Sequence, residues 1–150
     1  MAYGQGGDVV YLTMDDFYVA AAEALGADLT TIRSITNETL AGSALVAPSA
    51  GFADHEQYPE FATKTAVLLQ ALVSNHPLPD GNKRTSLLCS ILFAARNGYG
   101  WMEPVADDPD GTETAEVVEG ASMRSIPLET LSAWIADRLI PVSGTTTVKD

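Results

Sequence analysis

The stretch NHPLPDGNKRTS, residues 75–86, places a histidine, a carboxylate, an asparagine and two adjacent cations within nine positions. His76 is the side chain type best suited to take a proton from a hydroxyl near neutral pH. Asp80 offers the hard oxygen that Mg2+ takes alongside phosphate oxygens. Gly81 permits a left-handed backbone and lets an anion come close. Asn82, Lys83 and Arg84 follow with donors and positive charge, and arginine can hold phosphate oxygens through two parallel hydrogen bonds. Such a set would serve the attack of a hydroxyl on a nucleotide phosphate, a reaction that asks mainly for positioning and charge stabilisation. The same residues also make a good turn between two helices, with His76 and Asp80 as plain surface or capping groups. Residue types alone leave both readings open.

The elements on either side would have to position the loop. EFATKTAVLLQALVSN, residues 60–75, carries Phe61, Thr65, Leu68, Leu69, Leu72 and Val73 at helical spacing. After the loop, KRTSLLCSILFAARNG predicts a helix that is apolar nearly all round, with Leu87, Leu88, Ile91, Leu92 and Ala95, and so a place at the centre of the fold. Pro77 and Pro79 stiffen the connection, and Leu78 is its expected anchor in the core. Because a helix begins just past Gly81, the loop should present unpaired N–H groups and a partial positive charge to an anion.

Further helices are expected over YLTMDDFYVAAAEALG, with Thr13 as N-cap, a Leu12–Phe17 staple and Gly26 as stop, and over TNETLAGSALVA, ending at Pro48 with Leu40, Ala44 and Leu45 inward. Another is expected from about Thr114, and a last one over SIPLETLSAWIADRLI. PSAGFADHEQYP, residues 48–59, reads as an exposed loop, and His55 as a solvent-exposed histidine on it. The β-leaning stretches are short, DVVYL and YGWME. The fold class is therefore all-α, a compact helical bundle with at most a small β-hairpin. Residues 1–8 read as a loose N-terminus, 9–140 as one domain, and 141–150 as a tail; the acids of 103–119 begin in a solvated loop. Cys89, Trp101 and Trp134 are expected in the core, and Lys64 and Arg96 as surface charges.

Composition narrows the partners. Eight Lys and Arg stand against twenty Asp and Glu, a net charge of −12. Such a surface repels phosphate backbones, so direct nucleic-acid binding is not expected. No apolar run approaches the roughly 20 residues needed to span a bilayer, and MAYGQGGD has neither the basic start nor the apolar stretch of a signal peptide. A lone cysteine allows no internal disulfide. A cytoplasmic protein, neither membrane-bound nor nucleic-acid-binding, is the expectation.

The loop HPLPDGNKR resembles the signature of the Fic/Doc family, His-Pro-Phe-x-Asp/Glu-Gly-Asn-Gly/Lys-Arg, with His76, Pro77, Asp80, Gly81, Asn82 and Arg84 in register. Lys83 stands where AMP-transferring members usually have Gly and where the Doc branch has Lys. NETLAGSALVAP, FADHEQYPEFATKTAVLLQALVSNHP, KRTSLLCSILFAARNGY and GASMRSIPLETLSAWIADRL look like the corresponding Doc segments, so the resemblance extends over residues 9 to 140. It implies a helical Fic fold and the toxin of a toxin–antitoxin pair: a protein kinase that uses ATP and Mg2+ to phosphorylate a threonine of elongation factor Tu and arrest translation. On that resemblance His76 would be the general base and Asp80 the Mg2+ ligand. Gly81, Asn82, Lys83 and Arg84 would bind the nucleotide's phosphates, and residues 48–59 would be the flap that pins the target by strand-like pairing.

Three departures qualify it. Leu78 replaces the usual Phe, an exchange of apolar anchors. Leu87 occupies the place of the second Arg of the AMP-transferring pattern, which argues against that chemistry. The inhibitory helix of self-restraining members, Ser/Thr-x-x-x-Glu-Gly/Asn, is incomplete at Ser34–Glu38, Thr112–Glu116 and Ser125–Glu129. Inhibition in trans by a separate, Phd-like antitoxin is therefore expected. A Fic-type nucleotidyl transferase and a non-catalytic binding protein on the same fold remain as alternatives.

Overall fold

A computed structural model describes residues 9–102 and 112–142 of the chain. The expected loose N-terminus at 1–8, the first part of the acidic loop at 103–111, and residues 143–150 of the tail lie outside them. In chain order the elements are α1 (Met14–Leu25), α2 (Leu29–Ile35), α3 (Glu38–Val46), a 3-10 turn (Ala47–Ser49), β1 (Gly51–Phe52), β2 (His55–Glu56), α4 (Phe61–Asn75), α5 (Asn82–Arg96), β3 (Tyr99–Trp101), α6 (Thr112–Ser122), α7 (Leu128–Ala136) and β4 (Leu139–Pro141). The all-α expectation holds. The strands form two small antiparallel pairs, β1 with β2 in the 48–59 loop and β3 with β4. DVVYL makes no strand within the described residues: Val10 instead exchanges two hydrogen bonds with the Asn97 side chain, at 2.8 and 2.9 Å.

Helix α1 starts and stops as its residues dictate. Thr13 and Asp16 form a reciprocal capping box, and Gly26 closes the helix in the left-handed conformation at φ 65°. Asn37 caps α3 and Asp28 caps α2 in the same side-chain-to-N–H manner. No helical period announces α2, whose run of Thr30, Thr31, Ile32 and Ile35 has weak helix propensity. Burial of Ile32 against the core supplies what propensity does not.

The helix at the centre is α4, not α5 as the apolar run in the sequence suggested. It packs against α3, α5, α6 and α7 and buries Phe61, Lys64, Thr65, Ala66, Val67, Leu68, Leu69, Leu72 and Val73. Helix α5 instead buries a stripe of small and polar residues with one aromatic, Thr85, Ser86, Cys89, Ser90, Phe93 and Ala94, while Leu87, Leu88, Ile91 and Leu92 stay half-buried and Ala95 is exposed. The larger Leu87, Leu88, Ile91 and Leu92 pack against the margin of the core instead of filling its centre.

Of the two charges expected at the surface, Arg96 is exposed, where it pairs with Asp16, and Lys64 is not. Lys64 is fully buried, its ammonium 2.5 Å from Glu56 Oε1. Burial alone would lower its pKa; hydrogen bonds and charge from Glu56 and Tyr11 outweigh that and raise it, so the group stays cationic. Arg96 holds Asp16 by two bonds, Nη2–Oδ1 at 2.6 Å and Nη1–Oδ2 at 3.2 Å. Burial pushes the Asp16 carboxyl up, but bonds from Thr13 and Arg96 prevail and hold it below the ordinary range. Trp101 is buried as expected. Trp134 is only half-buried, with the Arg138 guanidinium 3.8 Å from its ring centre.

Candidate functional site

All six residues singled out by their chemistry line one cavity of about 490 Å3: His76, Asp80, Gly81, Asn82, Lys83 and Arg84, together with Leu78 and Pro79. The turn and the helix start after it position them. His76 is the C-cap of α4 in the left-handed conformation, φ 53° and ψ 59°, and is exposed. A non-glycine residue there is uncommon and is held only where its surroundings over-determine it. Here they do. Asn37 N–H donates to the Pro77 carbonyl at 2.8 Å, Asn75 Nδ2 donates to the Leu40 carbonyl at 3.0 Å, and Pro77 and Leu78 are buried.

Gly81 is the N-cap of α5, also left-handed at φ 80°. A Cβ on it would stand 2.6 Å from Leu25 Cδ1, so the C-terminal end of α1 abuts the loop and that leucine would have to shift to admit a side chain. No side chain caps α5, and its first N–H groups face the cavity without the Ser, Thr or Asp that normally satisfies them. A 15-residue helix with an open N-terminus favours an anion at that end.

The three donors after Gly81 are already engaged. Asn82 Oδ1 accepts from Leu78 N–H at 3.0 Å, and Asn82 Nδ2 donates to the Leu78 carbonyl at 2.8 Å. The amide thus closes the loop from within. Arg84 Nη1 donates to the Ala24 carbonyl at 2.8 Å, at the end of α1 where helix carbonyls lack partners. Lys83 is ion-paired with Glu119 of α6, both side chains about half exposed. Arg96–Asp16 at one end and Arg84–Ala24 at the other bolt α1 antiparallel against α5.

Asp80 is exposed on the cavity rim, and among the described residues no group of three or more His, Cys, Asp or Glu stands together as a metal cage. A lone carboxylate beside an anion site suits Mg2+, which keeps several waters and binds through one or two carboxylates and phosphate oxygens. The residues present therefore fit that ion. Leu87 does not line the cavity, so its position adds no cation to it. His55 is exposed on β2, as expected of it.

Lys64, Glu119 and the carbonyl end of α1 were not singled out from the sequence. Lys64 had a signal: it lies three residues after Phe61 and four before Leu68, on the inward stripe of α4. For Glu119 and Ala24 no local pattern marks a contact made only through tertiary packing.

A family model described as Fic/DOC family matches residues 11–94, more than half of the chain. The chain is also 30% identical over 126 residues to a protein named Toxin Doc from Mycolicibacterium smegmatis, covering 84% of this chain and 91% of that one. No solved structure gives a significant match.

Proposed function

The chain belongs to the Fic/DOC family, and from that premise we propose that it is a Doc-type toxin, an enzyme that moves the γ-phosphate of ATP onto a hydroxyl of a target protein. The observation that carries the reading is the single cavity at the open N-terminus of α5 that gathers His76, Asp80 and the Gly81–Arg84 run, with Lys rather than Gly at position 83. Similarity to a protein named Toxin Doc over most of both chains supports the toxin assignment.

In this reading ATP lies with its phosphates on the α5 N-terminus, held by the Gly81–Arg84 N–H groups and the Lys83 and Arg84 side chains. The Asn82 clamp on Leu78 keeps those groups aligned before the nucleotide arrives. His76 takes the proton as the target hydroxyl oxygen bonds the γ-phosphorus; the bond to the bridging oxygen breaks and ADP leaves. Mg2+, when bound at Asp80, neutralises charge on the phosphates. The β1–β2 hairpin would align the acceptor segment by backbone pairing. The target is proposed as a threonine of a translation protein such as elongation factor Tu, with growth arrest as the result and a separate Phd-like antitoxin as its restraint.

Purified protein with Mg2+, elongation factor Tu and ATP labelled at either the γ- or the α-phosphate tests the chemistry, beside a His76→Ala control. Label from γ alone, lost in the control, is the expected outcome. Label from α would instead establish nucleotidyl transfer and overturn the reading of Lys83 and Leu87. Label from neither would exclude this target.

A further inference from the structure

Lys64 is a cation in the core of an acidic protein, and its partners share one location. Its Nζ donates to Glu56 Oε1 at 2.5 Å and to the Pro48 carbonyl at 3.4 Å, and it sits 5.7 Å from the centre of the Tyr11 ring. Pro48 and Glu56 are the two feet of the hairpin: the 3-10 turn that leads into β1 and the strand β2 that leaves it. Between them Gln57 N–H donates to the Ala50 carbonyl at 2.9 Å, closing the base. Beyond that base the hairpin has little of its own. Each strand is two residues long, the turn holds Ala53 at φ 56°, and every residue from Gly51 to Gln57 is exposed, Phe52 at 84%. An isolated two-stranded hairpin is marginal at best in water. The buried Pro48 packs the first foot against α4, and the ammonium beneath ties both feet to that helix.

We propose that Lys64 is a positioning residue that clasps both feet of the β1–β2 hairpin to α4 and so holds it ready to receive an extended segment of the target protein. The proposal rests on the reading of the hairpin as the target's docking edge. Lys64 and His76 lie twelve residues apart on one continuous helix, roughly 18 Å along its axis at 1.5 Å per residue. One rigid rod therefore carries the clasp near its start and the base at the cap that ends it, and α4 sets most of the spacing between the docking edge and His76. A lysine serves here because its stem crosses the core while its three donors reach partners on both feet. A buried apolar residue would fill the space and hold neither.

The test uses the full chain with Lys64→Met, which keeps the length and apolar stem, and Glu56→Gln, which keeps an acceptor but removes its charge. The Glu56 side chain is a third exposed and can turn to water when Lys64 is lost. Hydrogen exchange by mass spectrometry is read over residues 50–57 and over α4 and α5 separately. In Lys64→Met, exchange at the hairpin base should speed up by about tenfold or more, the lower end of what losing a charge-assisted hydrogen bond gives, while the helices keep their protection; Glu56→Gln should fall between. In the labelled-phosphate assay, KM for the target protein should rise by about tenfold on the same reasoning, with KM for ATP unchanged. Unaltered hairpin exchange in a folded Lys64→Met would overturn the clasp. Faster exchange with unchanged target KM would overturn the positioning role. Because exchange needs no substrate, wild-type protein that labels no elongation factor Tu would remove that target and the positioning role toward it, and the exchange data would still decide whether Lys64 holds the hairpin.

Discussion

Asn82 is expected to be a structural clamp before it is anything else, and Asn82→Ala separates the two. The wild-type amide makes two bonds to the backbone of Leu78, a residue only 3% exposed, at 2.8 and 3.0 Å. Each such bond contributes about 0.5–1.5 kcal/mol net, so losing both should cost roughly 1–3 kcal/mol. For a chain of 150 residues that corresponds to a melting temperature lower by roughly 2–12 °C, at about 2–4 °C per kcal/mol. Urea titrations should show a lower midpoint with an unchanged slope, because the loop relaxes without exposing the core. ATP affinity, read by calorimetry in Mg2+, should fall in the same variant, since the N–H groups of α5 are held in line by that clamp. A phosphate ligand without a structural role would behave differently. Stability within about 0.5 kcal/mol of wild type, the range of ordinary surface substitutions, combined with weakened ATP binding, would refute the clamp.

Three further outcomes are expected. Glu119→Gln should tighten ATP binding by about two- to fivefold, the range for removing a competing exposed ion pair; titration at low salt checks it, and unchanged affinity would mean that Glu119 does not compete for Lys83. Burial, with a contribution from the Asp16 charge, pushes the Cys89 thiol up to about 12, so the native protein should not react with a disulfide reagent at pH 8 and should release one equivalent only on unfolding. Asp16→Asn should cost roughly 1–2 kcal/mol at pH 6, the charged-bond value discounted because Arg96 is nearly half exposed. Because the folded pKa of Asp16 lies below its ordinary value of 3.8, that contribution is present above that pH and is lost as pH falls through the folded value. Midpoints of wild type and variant should therefore converge in acid, and a constant gap down to pH 2 would count against the assignment.

The cavity residues were legible because the chemistry is local. His76 through Arg84 sit on one turn and the helix start that follows it, so adjacency in sequence is adjacency in space. Caps were legible for the same reason: Thr13, Gly26 and Asn37 act on backbone within four residues. Helix α2 was not, since its residues have poor propensity and only the burial of Ile32 makes it helical. The rank order of burial was misread for a different reason. Apolar content predicts which residues prefer the core, but the face that α5 buries is set by its place among its neighbours and carries Ser86, Cys89, Ser90 and Ala94, not the leucines. Lys64 was misread as a surface charge because residue type was weighed above position. Its place on the inward stripe of α4 was the better guide.

Residue type alone would leave two adjacent cations in a chain of net charge −12 idle until a phosphate arrives. Neither is. Arg84 gives one nitrogen to the Ala24 carbonyl, a neutral acceptor at the orphaned end of α1. A guanidinium has five N–H donors, so this bond anchors one nitrogen and leaves others for an incoming anion. Lys83 gives its charge to Glu119, a carboxylate that repels the same anion, across a pair half open to water. Exposed pairs of that kind contribute on the order of 0.2–1 kcal/mol, far less than a phosphate bound by several N–H groups and two cations. Nucleotide binding should therefore leave the arginine where it is and break the lysine's pair, handing Lys83 from the protein's own carboxylate to the phosphate. The two residues would then have different work: Arg84 held in place through α1, and Lys83 the contact that changes partner.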